Sequence, residues 1–189
     1  ALRPDVFVAW RSFETCQFGR RAKARWVWLH DVQSFDRVLQ TPDDLYDKVI
    51  VLSEFQRRIT QPMMEFAKDK FVTSRNGIDL QIPDILPARH INRFVYTSSP
   101  NRGLLHLLHW WPDIKAKVKD AELHIFYGFT DFWKQCERGD PSLLKVRLEV
   151  EELRTQPGII WRGFKSNRDL ENFMLTTNLF VYPSTFPEI

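Results

Sequence analysis

Cysteine is scarce in this chain. Cys16 and Cys136 are the only two in 189 residues and stand far apart with no paired spacing. Neither a disulfide framework nor a cysteine-built metal site is therefore expected, and a reducing, cytoplasmic setting is. No apolar run approaches the roughly 20 residues that a membrane-spanning helix needs, and no signal peptide is recognisable. Charge of one sign is lacking too: 27 basic residues face 24 acidic ones, spread along the chain, for a formal net charge of +3. That excess is too small and scattered for a nucleic-acid footprint; an anionic small ligand or a peripheral contact with a membrane surface suits it as well. The Walker A sequence, the G-x-G-x-x-G fingerprint, the G-x-S-x-G elbow and the H-E-x-x-H helix are all absent, which removes the commonest nucleotide, hydrolase and zinc readings.

What is present is core-forming material. The chain is 43% hydrophobic and 14% aromatic, with seven tryptophans, the make-up of a globular protein of one ordinary domain or two small ones. Arg93 to Phe129 reads as strand, turn, helix, strand. Phe94-Val95-Tyr96 stops at the turn cluster Thr97 to Asn101, and a helix then opens with Arg102 and Gly103 in its first turn. Leu104, Leu107, Leu108 and Trp111 follow at helical spacing up to Pro112, and Leu123 to Tyr127 is the second strand. Parallel strands need such a crossover, and the loop after the first strand of the unit faces the ligand. Small hydroxyls, backbone N–H groups, a helix amino end and Arg102 suit a phosphate.

The same alternation runs through the rest. Strands are expected at Asp5–Trp10, Trp26–Leu29, Lys48–Leu52, Phe71–Thr73, Gly158–Phe164 and Leu179–Tyr182, with Arg11 to Arg25 a polar, basic connection. Ser53 caps a helix with Phe55 and Ile59 on its inner face until Pro62 interrupts it. Asn76-Gly77 supplies a positive φ for a tight turn. Asp131 to Arg154 is helical with a break near Gly139-Asp140-Pro141, and Ser166 with Asp169 opens a last helix that buries Leu170, Phe173 and Met174. His106 and His109 lie one turn apart without a third ligand at their spacing, so a partly exposed helix face outweighs a metal site.

The run Tyr96-Thr97-Ser98-Ser99-Pro100-Asn101-Arg102-Gly103-Leu104, then Trp111-Pro112, then Ala121-Glu122-Leu123-His124-Ile125-Phe126-Tyr127-Gly128, resembles the donor-binding domain of GT-B glycosyltransferases of the large retaining family numbered four. Three further stretches share the likeness. A strand ends in His30; Asp47 to Glu54 precedes Arg75-Asn76-Gly77-Ile78-Asp79; and Pro183 to Glu188 is similar to the start of the family's Glu, seven residues, Glu motif, with Glu188 first. Starting without Met and stopping just after Glu188, the chain reads as a fragment.

The resemblance implies an α/β protein of two Rossmann-like domains, both incomplete: residues 1–83 from the acceptor-side domain, 84–91 as linker, and 92–189 from the donor-binding domain. It implies transfer of a sugar from a nucleotide diphosphate sugar, UDP- or GDP-linked, to a hydroxyl on a glycan, lipid or protein, with no other cofactor. Catalytic contacts fall to His30, which meets the donor sugar, and Glu188, which hydrogen-bonds its hydroxyls. Ser98, Ser99, Arg102 and Gly103 meet the diphosphate, and Phe164 flanks the base. No Asp-x-Asp pair is present to hold a metal, as it does in the other main transferase fold, so metal-independent retention is expected and side chains and backbone dipoles must meet the leaving group. Many family members carry a second cation where Ser98 or Ser99 stands here; the hydroxyls can still hydrogen-bond the phosphate, and Lys165, in the loop after Gly163, is the candidate to supply the charge. A fragment that lacks the second Glu is expected to bind without turning over. A non-catalytic nucleotide-sugar-binding module and a sugar-nucleotide epimerase on a similar double fold are the alternatives.

Overall fold

The computed structural model describes residues 3–31, 42–77 and 83–185. The chain forms two compact units that divide between Leu80 and Gln81.

The first unit holds four parallel strands, β1 (Val6–Trp10), β2 (Ala24–Trp28), β3 (Lys48–Val51) and β4 (Phe71–Thr73), side by side in sequence order. Successive side chains in a strand alternate between faces, and the register turns that alternation into rows. Ala9, Val27, Val49 and Phe71 pair across the sheet and are all buried. The opposite row is Trp10, Trp28, Ile50 and Val72. The core lies on the first face, completed by Phe13, Cys16, Tyr46, Met64 and Ala67. Residues 11–25 are thus more than a polar connection: a 3-10 helix at Glu14–Gly19 drives Cys16 into the core, because Phe13 and Cys16 lie three apart and share its inner side.

Helix α1 (Glu54–Thr60) is capped by Ser53, whose Oγ accepts from Gln56 N–H at 3.0 Å, and it gives way to a 3-10 turn containing Pro62. Its buried residues are Gln56 and Thr60, while Phe55 is exposed. Gln56 is buried with its hydrogen bonds met: its amide oxygen accepts from Leu52 N–H and its amide nitrogen donates to the Asp31 carbonyl. Neither Asn76 nor Gly77 adopts a positive φ, so no left-handed turn forms there.

The second unit runs β5 (His90–Tyr96), α2 (Leu104–Lys117), β6 (Glu122–Ile125), α3 (Asp131–Gly139), α4 (Pro141–Leu153), β7 (Ile159–Trp161), α5 (Asn167–Leu175) and β8 (Thr177–Phe180). Its strands are parallel in the order β7-β6-β5-β8. Crossovers between parallel strands are right-handed. Two steps outward from β5 through β6 to β7 therefore place α2, α3 and α4 on one face, and the return to β8 places α5 on the other. Packing agrees: Phe94, Tyr96, Leu123 and Ile125 meet Leu104, Leu107, Leu108 and Trp111 of α2 and Val150 of α4, whereas His124 and Phe126 meet Phe173 of α5.

Helix α2 starts at Leu104, after Arg102 and Gly103 rather than around them, and continues past Pro112 to Lys117. A proline within a helix frees the carbonyl four residues earlier. That carbonyl belongs to Leu108, and it accepts from Gln156 Nε2 at 3.0 Å; beside it Trp111 Nε1 donates to the Pro157 carbonyl. Helix α5 begins as expected, with Ser166 Oγ accepting from Asp169 N–H. No residue of α5 is fully buried and Met174 is exposed, because α5 covers its face of the sheet alone.

Candidate functional site

In open parallel sheets, ligands gather at the carboxyl ends of the strands where strand order reverses, because the two loops there leave in opposite directions. The second sheet reverses between β5 and β8. The loop after β5 carries Ser98, Ser99, Arg102 and Gly103, so the structure brings these four expected residues together. Residues 100–103 form a turn in which Arg102 N–H donates to the Ser99 carbonyl at 2.8 Å. Gly103 is the N-cap of α2 at φ 91°, a conformation that suits glycine. A Cβ at this position would overlap the Pro183 carbonyl, with Ser184 N at 3.0 Å. Backbone from the loop after β8 is thus pressed against the amino end of α2.

That amino end differs from the others. Helices α1, α3, α4 and α5 are capped by the side-chain oxygens of Ser53, Thr130, Asp140 and Ser166. Helix α2 has no side-chain cap and no acidic residue in its first turn. A helix start leaves up to four backbone N–H groups without intrahelical partners and about half a positive charge. Here half-buried Arg102 precedes it. The same ensemble is suited to an anion.

A cavity of 240 Å³ opens beside the loop, lined by Ser99, Asn101, Arg102, Tyr127, Thr130, Trp133, Cys136 and Leu143. Apart from Ser99 and Arg102 none of these was expected at a site. Tyr127 and Thr130 follow β6, at the same carboxyl edge of the sheet as the β5 loop. Trp133, Cys136 and Leu143 reach the cavity through the packing of α3 against α4 and carry no local signal.

The remaining expected residues stand apart. Phe164 and Lys165 follow β7, two strands or roughly 10 Å across the sheet from β5, and both are exposed. His30 follows β2 in the first unit, its ring against Trp28 at 5.1 Å and Trp10 at 5.7 Å between centroids. Its Nε2 is buried and has no hydrogen-bond partner among the described residues. Beside it Arg11, at φ 65°, lies over the Trp10 ring and pairs with Asp31 at 3.2 Å. Glu188 lies outside the described residues. His106 stacks on Trp110, and His109 Nε2 lies 2.8 Å from Glu149 Oε1 on α4. No group of three or more metal-ligating side chains occurs among the described residues. No helix among them is long and apolar enough to cross a membrane.

No family model and no curated protein matches the sequence. Solved structures do. The pneumococcal O-GlcNAc transferase GtfA, in complex with UDP and GlcNAc, aligns over 94% of this chain and 37% of its own at 15% identity and a TM-score of 0.65. A mutant of S. aureus TarM, in complex with Fondaparinux, alpha-GlcNAc-glycerol and UDP, aligns over 85% and 32% at 15% identity and 0.57. The UDP-forming α,α-trehalose-phosphate synthase of Burkholderia vietnamiensis aligns over 96% and 54% at 14% identity and 0.62. The chain spans about a third to a half of these neighbours. At such identities the likeness shows the fold: two Rossmann-like α/β units of the GT-B kind.

Proposed function

We propose that this chain binds a nucleotide diphosphate sugar and serves transfer of the sugar to an acceptor hydroxyl, with retention and without a metal. The observation that carries the reading is the uncapped, acid-free start of α2, preceded by Arg102, at the reversal of strand order. An anion placed there is favoured both by the partial positive charge of the helix amino end and by the guanidinium of Arg102. In this reading the Ser98 and Ser99 hydroxyls, Arg102 and the backbone at Gly103 hold the diphosphate and stabilise its charge as the sugar leaves. Phe164 flanks the base, and Lys165 supplies the second positive charge. His30 contacts the donor sugar and Glu188 hydrogen-bonds its hydroxyls. UDP-containing complexes among the structural neighbours support a nucleotide donor. Base and acceptor class are open to direct test with UDP- and GDP-sugars and with glycan, lipid or protein acceptors.

Calorimetry with UDP- and GDP-sugars, with and without EDTA, checks the reading. Binding should survive EDTA, and Arg102→Ala should weaken it by about 1.5–3 kcal/mol, the scale of a hydrogen bond to a charged group. Strict metal dependence, or indifference to the substitution, would sink it.

A further inference from the structure

Tyr96 ends β5 with its ring fully buried in the core formed with Leu104, Leu107, Leu108 and Ile125. Phenylalanine would fill nearly the same volume without the cost of burying a hydroxyl. The hydroxyl, however, has partners: its one proton is shared between the Ser99 carbonyl at 2.8 Å and the Arg102 carbonyl at 3.1 Å. Both acceptors belong to the loop that carries Ser98, Ser99, Arg102 and Gly103, and both are drawn inward by the one side chain.

The geometry of the peptide group turns that pull into a property of the site. A peptide is planar and trans, so its N–H points opposite to its C=O. Drawing the Ser99 carbonyl inward exposes no donor, because Pro100 follows. Drawing the Arg102 carbonyl inward turns the Gly103 N–H away from the core, and the described residues provide no backbone acceptor for it. The same anchor fixes the backbone from which the Arg102 side chain departs.

We propose that Tyr96 is a positioning residue for anion binding: its hydroxyl holds the Ser99 and Arg102 carbonyls in the core and thereby aims the Gly103 N–H and the Arg102 side chain at the bound diphosphate. This rests on reading the Ser98–Gly103 loop as the donor site. Burial pushes the Tyr96 hydroxyl well above the ordinary tyrosine range, neighbouring Tyr182 adds to the shift, and a hydrogen bond with the Ser98 side chain offsets part of it. The group therefore remains a proton donor throughout the working pH range.

The test compares the wild-type chain with Tyr96→Phe, titrating UDP against uridine and GDP against guanosine. In the wild type the diphosphate should bind more tightly than its nucleoside. Tyr96→Phe should cut that preference about tenfold, the equivalent of roughly one hydrogen bond, while nucleoside affinity holds. An unchanged diphosphate-to-nucleoside ratio, whatever happens to the melting temperature, overturns the positioning role and leaves the loop assignment standing. A wild type that binds UDP and GDP no better than the nucleosides overturns the loop assignment, and the role of Tyr96 with it. Amide NMR of the wild type gives a readout that does not depend on the variant folding. The Gly103 resonance should move with UDP or GDP and not with the nucleosides, and an unmoved resonance overturns the proposal.

Discussion

Both units carry four parallel strands, yet the two sheets are wound differently. In the first, every crossover steps the same way, so the right-handed rule puts the described connections on one face. Among the described residues the other face is left with Val6, Val8, Trp10 and Val72 exposed, although parallel sheets are ordinarily covered on both sides. In the second, the return to β8 sends α5 to the opposite face and creates a reversal of strand order. The contrast teaches that the covering of a sheet and the making of a ligand crevice are two results of the same topological step. The second sheet has taken that step, and the loop with the uncapped helix is found there.

The sharpest way to break the comparison is at the reversal itself. Gly103→Ala must find room against the Pro183 carbonyl and hold a left-handed backbone, so it should destabilise the second unit by more than about 2 kcal/mol. Gly128→Ala, with nothing within 4 Å of an added Cβ, should shift it by less than about 0.5 kcal/mol. Hydrogen exchange read peptide by peptide reports each unit separately; equal protection in the two variants would remove the crowded contact from the account.

A graded effect should follow from acid, again in the second unit. His124 is buried on β6 under Phe173, with Arg162 Nε donating to its Nδ1 at 3.1 Å, Glu122 Oε2 3.0 Å from its Nε2, and Arg93 pairing with Glu122 at 3.6 Å. Burial, then the charges of Arg162 and Arg93, hold its pKa below the ordinary 6.5, although the Glu122 hydrogen bond works against them. A neutral folded imidazole means the unfolded chain binds more protons, so stability is intact above 6.5 and falls as pH drops through the lower folded value. Glu122 is itself lowered from 4.5, chiefly by its hydrogen bond with His124, and it adds a further loss below 4.5. Urea midpoints from pH 7.5 to 4 should decline, and His124→Gln should flatten the upper part of the decline. A flat profile in the wild type would contradict the description of this cluster.

The smallest expected effect lies on the uncovered face of the first sheet. Val8 is 45% exposed, and Val8→Thr should change unfolding free energy by less than about 0.5 kcal/mol. A larger loss would mean that this face is covered in solution.

Much of this was readable in advance where the physics is local. Strand alternation, the Leu104-Leu107-Leu108-Trp111 stripe, the Ser53 and Ser166 caps and the break at Gly139-Asp140-Pro141 each depend on neighbours a few residues away. The errors lie where distant residues decide. Pro112 seemed to end α2, but Gln156, 48 residues from Leu108, supplies the missing hydrogen bond. Phe55 and Met174 read as core by spacing and are exposed, because which face of a helix finds a partner is fixed by the sheet beneath it. Of the site, the β5 loop was legible, since turn chemistry and strand position both marked it. The cavity residues on α3 and α4 were not, because only their packing brings them there.

The missing cap of α2 has one further consequence. A helix N-cap contributes about 0.5–2 kcal/mol, and four helices of this chain carry theirs as a covalent part of the sequence. In the proposed reading, an anion seated at Gly103 would supply to α2 what Ser53 supplies to α1, which would make occupancy and local folding a single equilibrium. Saturating ligand would then raise apparent stability by RT ln(1 + [L]/Kd), about 2.7 kcal/mol at a hundredfold excess over Kd, and would give α2 the cap that no side chain of its own N-cap residue supplies.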